Sequence, residues 1–112
     1  MTYKFQVILR RNEDAYALFS ALRRNNIKGI VLPAQSLKSA LLDNREESVP
    51  AFTGLRQVVD YSHDMNYLVD CIIDESRLEE VKNIVRSVTN EINQKVGIMY
   101  AIPLAFVEGL EK

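Results

Sequence analysis

The sequence predicts an α+β fold, a ferredoxin-like βαββαβ sandwich in which a four-stranded antiparallel sheet carries two helices on one face. Three observations predict it. Residues 3–10 and 66–73 alternate in the way of strands with one buried face. Each is followed by apolar residues at helical spacing. Each helix is followed by a further β-rich run, at 27–32 and 98–102. The 112 residues suit one domain with one core, spanning 1–112.

The elements follow in order. Tyr3, Phe5, Val7 and Leu9 share one side of the first strand; Lys4, Gln6, Ile8 and Arg10 share the other. Asn12 is placed to cap a helix whose first turn holds Glu13 and Asp14. Ala15, Leu18, Phe19 and Leu22 make its apolar stripe, and Asn25-Asn26 end it. "IKGIVL" (27–32) is a strand closed by Pro33. Residues 34–64 hold no sustained period. They form a long excursion containing a charged knot at Asp43–Glu47, with Leu37, Ala40 and Leu41 hinting at a helical turn. In the third strand Tyr67, Val69, Cys71 and Ile73 face one way, and Leu68, Asp70 and Ile72 the other. Ser76 with Glu79 reads as a capping box. Leu78, Val81, Ile84, Val85 and Val88 stripe the second helix, and Ile98–Ile102 form the last strand.

Two helices cover only one face of such a sheet, so a lone chain should be polar on the other. Ile8, Leu68 and Ile72 fall on that other face, and the final run "GIMYAIPLAFVEGL" (97–110) is apolar on both sides. A patch of this kind marks an interface. The expectation is a homo-oligomer whose last strand is covered by its own helices and by neighbouring subunits, with Pro103 ending its ladder or placing it at an edge.

Composition excludes several classes. The net charge is −1 and there is no Trp, which argues against nucleic acid as a partner. The apolar tail, broken by Pro103, Glu108 and Gly109, is too short to insert into a membrane as a helix. The start alternates instead of presenting a signal-peptide core, and a lone cysteine supports no intrachain disulfide. A cytoplasmic protein is expected. Cys71 alternates with Val69 and Ile73 and reads as a small buried apolar residue. No nucleophile–base motif and no glycine-rich phosphate loop is present, so an enzyme is not expected. Asp60, His63 and Asp64 are weak metal candidates, since two carboxylates and one imidazole make a poor site; the plainer reading is a polar loop. Arg10 and Arg11 end the first strand and either face a phosphate or, more simply, are solvated. Gln35 and Ser36 follow the second strand with hydrogen-bonding groups suited to a base or an amide.

In layout the chain resembles the PII-like superfamily of small trimeric signalling proteins. The resemblance is carried by "ALRRNNIKGIVL", by the long excursion at about 34–64 and by "GIMYAIPLAFVEGL". The excursion sits where the family carries its effector-reading T-loop. Of the Gly-Arg-Gln at the base of that loop in nitrogen-regulatory members, "PAQ" keeps only Gln35. Of the phosphate-cradling B-loop, "TNEINQKVG" keeps Thr89, Lys95 and Gly97, and the Arg-Thr-Gly-Glu near the family's C-terminus is absent. The resemblance therefore implies a divergent member, nearer by analogy to cyclic-dinucleotide receptors than to ATP- and 2-oxoglutarate-binding ones. It implies a homotrimer binding a small effector, a nucleotide among the candidates, in clefts between subunits. Arg10, Gln35, Ser36, Lys95 and Gly97 would touch that effector, and the long loop would regulate an enzyme or transporter. The alternatives are a CutA-like metal-tolerance protein and an ACT-like amino-acid-binding module.

Overall fold

Strand β1 (Thr2–Leu9) places Phe5, Val7 and Leu9 in the core, as its alternation requires. The computed structural model describes residues 1–44 and 66–110. Helix α1 (Asn12–Arg24) buries Ala15, Leu18 and Leu22 on β1 and is followed by β2 (Gly29–Ala34). A short helix, α2 (Leu37–Asn44), then leaves the sheet. Strand β3 (Asn66–Asp74) returns to it, and after a 3₁₀ turn at Glu75–Arg77 helix α3 (Leu78–Thr89) leads to β4 (Gly97–Leu104). The sheet order is β2-β3-β1-β4 and every pairing is antiparallel. This is the predicted βαββαβ arrangement with α2 inserted into the excursion.

The helices form one layer over the sheet. Phe5, Val7, Leu9, Val69, Cys71 and Ile73 meet Leu18, Leu22, Val81 and Val85 there, with Ile27 and Val96 closing the ends. Fully burying each large side chain contributes roughly 1.5–3 kcal/mol. Arg77 ties the two helices at one end, donating to the carbonyl of Asn25 (2.7 Å) while pairing with Glu80 (2.7 Å). The Asn25-Asn26 stop holds: Asn25 Nδ2 donates to the Ala21 carbonyl (2.8 Å), and Asn26 takes a left-handed φ of 57°.

Several expected details differ. Asn12 is the first helical residue, not the cap; Arg11 occupies the cap position and makes no side-chain cap bond. Its guanidinium instead pairs with Asp14, satisfying that buried carboxylate. The Ser76–Glu79 capping box does not form. Asp74 caps the 3₁₀ turn instead, accepting from Ser76 N (3.0 Å) and Ser76 Oγ (2.7 Å); Arg77 occupies the cap position of α3 without a side-chain cap bond, and Glu79 pairs with Lys82 (2.8 Å). Ile27 is a core residue before β2 rather than part of it, and Pro33 lies inside β2 rather than ending it. Proline is tolerated there because β2 is an edge strand among the described residues, with one side free of ladder bonds to them. Pro103 lies in β4, the other edge.

Within one chain β4 is not buried on both sides. Met99 and Ala101 pack partly on the core, while Ile98, Tyr100 and Ile102 stand exposed. The register extends that exposed side across the sheet. Leu32, Leu68, Ile8 and Ile98 form one row; Ile30, Asp70, Gln6 and Tyr100 the next; Ile72, Lys4 and Ile102 a third.

Candidate functional site

The antiparallel order brings four chain ends to one end of the sheet. β1 finishes at Leu9, opposite both Tyr67 and Gly97, and β2 finishes at Ala34, opposite Asn66. Arg10, Gln35, Ser36, Lys95 and Gly97 are thus all placed at this end, where the long excursion leaves and returns. They fall into two groups. The Arg10 amide donates to the Val96 carbonyl (3.0 Å), which sets Arg10 beside Lys95 and Gly97 at the β4 edge, with Arg10 and Lys95 exposed. Gln35 and Ser36 lie past the β2 edge, about 14 Å away across three strand spacings. One chain does not join the two groups.

The local structure of the Lys95 group follows from Asn93. Its side-chain oxygen accepts from the Lys95 amide (2.9 Å), and its main-chain oxygen accepts from the amides of Val96 and Gly97 (2.9 Å each). Three successive amides are therefore turned onto one residue rather than toward a ligand. Thr89, the other B-loop counterpart, is buried and donates to the Val85 carbonyl (2.7 Å). Among the described residues, what the β4 side of this end offers an anion is side-chain charge from Arg10 and Lys95, the amides of Lys95, Val96 and Gly97 being taken by Asn93. Gly97 is required for a steric reason: a Cβ there would run into the Ile8 carbonyl of the neighbouring strand. On the β2 side, the Ser36 carbonyl accepts from the Ala40 amide (2.9 Å) and opens α2, whose Leu37 and Leu41 are exposed.

The metal candidates Asp60, His63 and Asp64 lie outside the described residues. Among the described residues no group of three or more His, Cys, Asp or Glu is placed to hold a metal ion. No helix among them is long and apolar enough to cross a membrane.

Sequence reasoning missed two concavities. One, of about 1050 Å³, lies at the opposite end of the sheet between its open face and the segment after β4. Lys4, Ile30, Asp70, Ile72, Leu104 and Phe106 line it. The signal was the continuation of the apolar run past Pro103 as far as Leu110. The other, of about 580 Å³, runs between α1 and β2, past Phe19, Leu22, Val31 and Val69 to Cys71. It exists because the two helices leave the inner side of the β2 edge uncovered. Beside it Phe19 meets Tyr16 and Tyr67 edge to face, at 5.7 and 5.9 Å between ring centroids. Burial, with the charge of Asp70 as a smaller cause, pushes the Cys71 thiol up to about 11. At neutral pH it is an unreactive thiol, as its alternation with Val69 and Ile73 predicts.

No family model and no curated protein matches this sequence. Solved structures do match. A functionally unknown protein from Pediococcus pentosaceus ATCC 25745 superposes with a TM-score of 0.62 at 14% identity, over 98% of this chain and 99% of that one. Arabidopsis thaliana PII, in a structure with citrate bound, gives 0.59 at 13% identity, over 92% of this chain and 77% of that one. The fold is that of PII. The PII-like resemblance read from the sequence thus holds in chain path, with four antiparallel strands, two helices on one face and the excursion between β2 and β3. Where the PII fold is kept at such low identity, the chemistry of the site has to be argued from this chain's own residues.

Proposed function

We propose that this protein is a PII-like regulator: a homotrimer that binds a small anionic effector between subunits and signals to an enzyme or transporter through its long excursion. The observation that carries the reading is the gathering of Arg10, Lys95 and Gly97 with Gln35 and Ser36 at the sheet end where the excursion is rooted. A ring that sets the β4 edge of one subunit against the β2 edge of the next is one closed arrangement of a heterologous contact. The two half-sites that lie apart in one chain would then face each other. Arg10 and Lys95 supply charge for a phosphate or carboxylate, and Gln35 and Ser36 supply hydrogen bonds for a base or amide. Because the amides of Lys95, Val96 and Gly97 already bond to Asn93, the effector is held by side chains, which favours a compact phosphate such as that of a mononucleotide or cyclic dinucleotide over a triphosphate. Effector binding would reset the start of the excursion, where exposed Leu37 and Leu41, one helical turn apart, offer a partner an apolar contact.

A thermal-shift panel of nucleotides, cyclic dinucleotides, divalent metals and amino acids tests the reading, since a ligand that favours the native state raises the midpoint. A nucleotide is expected to raise it, and Arg10→Ala and Lys95→Ala are expected to abolish the rise. A rise with metal or amino acid alone would replace this reading with the CutA-like or ACT-like one.

A further inference from the structure

We infer that Asn93 is the residue that decides which phosphate group this end of the molecule accepts: its side-chain oxygen stands on the Lys95 amide in the place of a phosphate oxygen, and its Nδ2 donors are offered to the effector in exchange. The inference rests on the effector reading above and deepens it by naming the determinant of its selectivity.

The segment between α3 and β4 is braced at both ends by the main chain. Asn90 and Glu91 leave the helix with left-handed φ of 56° and 74°, and the Glu91 amide donates to the Arg86 carbonyl (2.9 Å). At the far end the Arg10 amide holds the Val96 carbonyl (3.0 Å). Between them the Asn93 carbonyl accepts from Val96 and Gly97 (2.9 Å each), and no change of side chain at Asn93 removes those bonds. The Lys95 amide differs. It is held by the Asn93 side chain, through Oδ1 at 2.9 Å. It is the one of the three amides that a substitution can release without unmaking the turn.

That bond also fixes the carboxamide. An amide N–H needs an acceptor, so the atom facing Lys95 is the oxygen, and Nδ2 is the other end of the group. Among the described residues Nδ2 has no partner, and Asn93, Lys95 and Arg10 are all exposed. Neutral donors beside two cations suit a phosphate that brings few oxygens. A polyphosphate brings more anionic oxygens and draws on main-chain donors as well. Such an oxygen and Asn93 Oδ1 compete for the single proton on the Lys95 amide. The cost of displacing Oδ1 therefore falls on the polyphosphate and not on the ligand that leaves the amide alone.

The test titrates AMP and ATP against the full chain, Asn93→Ala and Asn93→Asp by thermal shift, at equal ionic strength and without divalent metal. The two nucleotides share base and ribose, so the ratio of their affinities isolates the phosphates. Circular dichroism and the unliganded midpoint verify that each variant keeps the fold. Asn93→Ala frees the Lys95 amide, and should raise the affinity for ATP relative to AMP by roughly tenfold, the worth of one charge-assisted hydrogen bond. Asn93→Asp keeps an oxygen on the Lys95 amide but exchanges the Nδ2 donors for a second carboxylate oxygen, and should weaken both nucleotides by roughly tenfold. Equal changes for the two nucleotides in Asn93→Ala would reduce Asn93 to a residue of the turn and overturn the inference. An Asn93→Asp variant that binds as the parent does would overturn it too. If the parent answers to neither nucleotide while Asn93→Ala answers to ATP, the effector reading falls and the role of Asn93 stands. If neither protein answers to either nucleotide, both fall.

Discussion

Cys71 shows how far one side chain is decided by its neighbours. It lies on the helix side of β3 opposite Gly29, where a Cβ would come within 2.7 Å of its sulfur and 2.6 Å of the Asp70 carbonyl. The two strands can pair there because one residue has no side chain. Burial first, and the charge of Asp70 second, lift the thiol from 9.0 to about 11. The consequence for stability has a definite sign. Below about pH 9 both the folded and the unfolded chain keep the proton, and nothing changes. Between about 9 and 11 the unfolded chain releases it and the folded chain does not, so stability falls as pH rises through that window. The same shift sets reactivity. At pH 8 the native thiol should react with a disulfide reagent at least about tenfold more slowly than the thiol of the chain unfolded in guanidinium, since fewer folded molecules hold the thiolate and the sulfur is buried, while the higher pKa returns only part of the loss as nucleophilicity. Comparable rates would mean that the groove between α1 and β2 opens to reagent far more readily than its packing allows.

At the scale of elements, the start of α3 separates two local chemistries that the sequence offers side by side. Ser76 and Glu79 have the spacing of a capping box, but Asp74 reaches the Ser76 amide first. The 3₁₀ turn at Glu75–Arg77 then shifts the helix start so that Glu79 points to Lys82, which holds its carboxyl below the usual range. Asp74→Ala should therefore cost about 1 kcal/mol of stability, read by urea denaturation, whereas Glu79→Ala should leave the transition nearly where it was. The reverse order would restore the capping box. The same contrast explains what the sequence made legible. Phe5, Val7 and Leu9, or Val81 and Val85, declare their elements because burial repeats with the period of the backbone. Caps do not repeat, and which of Asp74, Ser76 or Asn12 caps a helix depends on the turn that precedes it. Pro33 misled for a related reason: it stops a central strand but not an edge strand, and edge position is a property of the sheet order rather than of residues 27–34. The two half-sites were legible as residue types, and Gly97 as a loop glycine. The use of Asn93 to absorb three amides was not, because asparagine at a turn has several ways to bond.

At the scale of the whole molecule, the excursion can be separated from the framework, and the register says how. Ala34 and Asn66 are directly opposed at the last pair of the β2–β3 ladder, which places their Cα atoms about 5 Å apart. Residues 35–65 can therefore be replaced by Asn-Gly, the preferred two-residue link between antiparallel strands. The replacement removes α2, whose Leu37 and Leu41 are exposed and give the core little. It also shortens a long closed loop to a tight turn, which lowers the entropy cost of closure by ~2 kcal/mol. The variant should keep its far-ultraviolet dichroism and the mass of the parent assembly, with a melting midpoint at or above the parent's. Arg10, Lys95 and Gly97 are retained, but Gln35 and Ser36 are gone, so the thermal shift produced by a nucleotide in the parent should shrink or vanish. A variant that unfolds or falls apart would make the excursion a structural part of the framework. A variant that responds to the nucleotide as the parent does would confine the effector to the Arg10–Lys95 side and remove residues 35–65 from ligand reading.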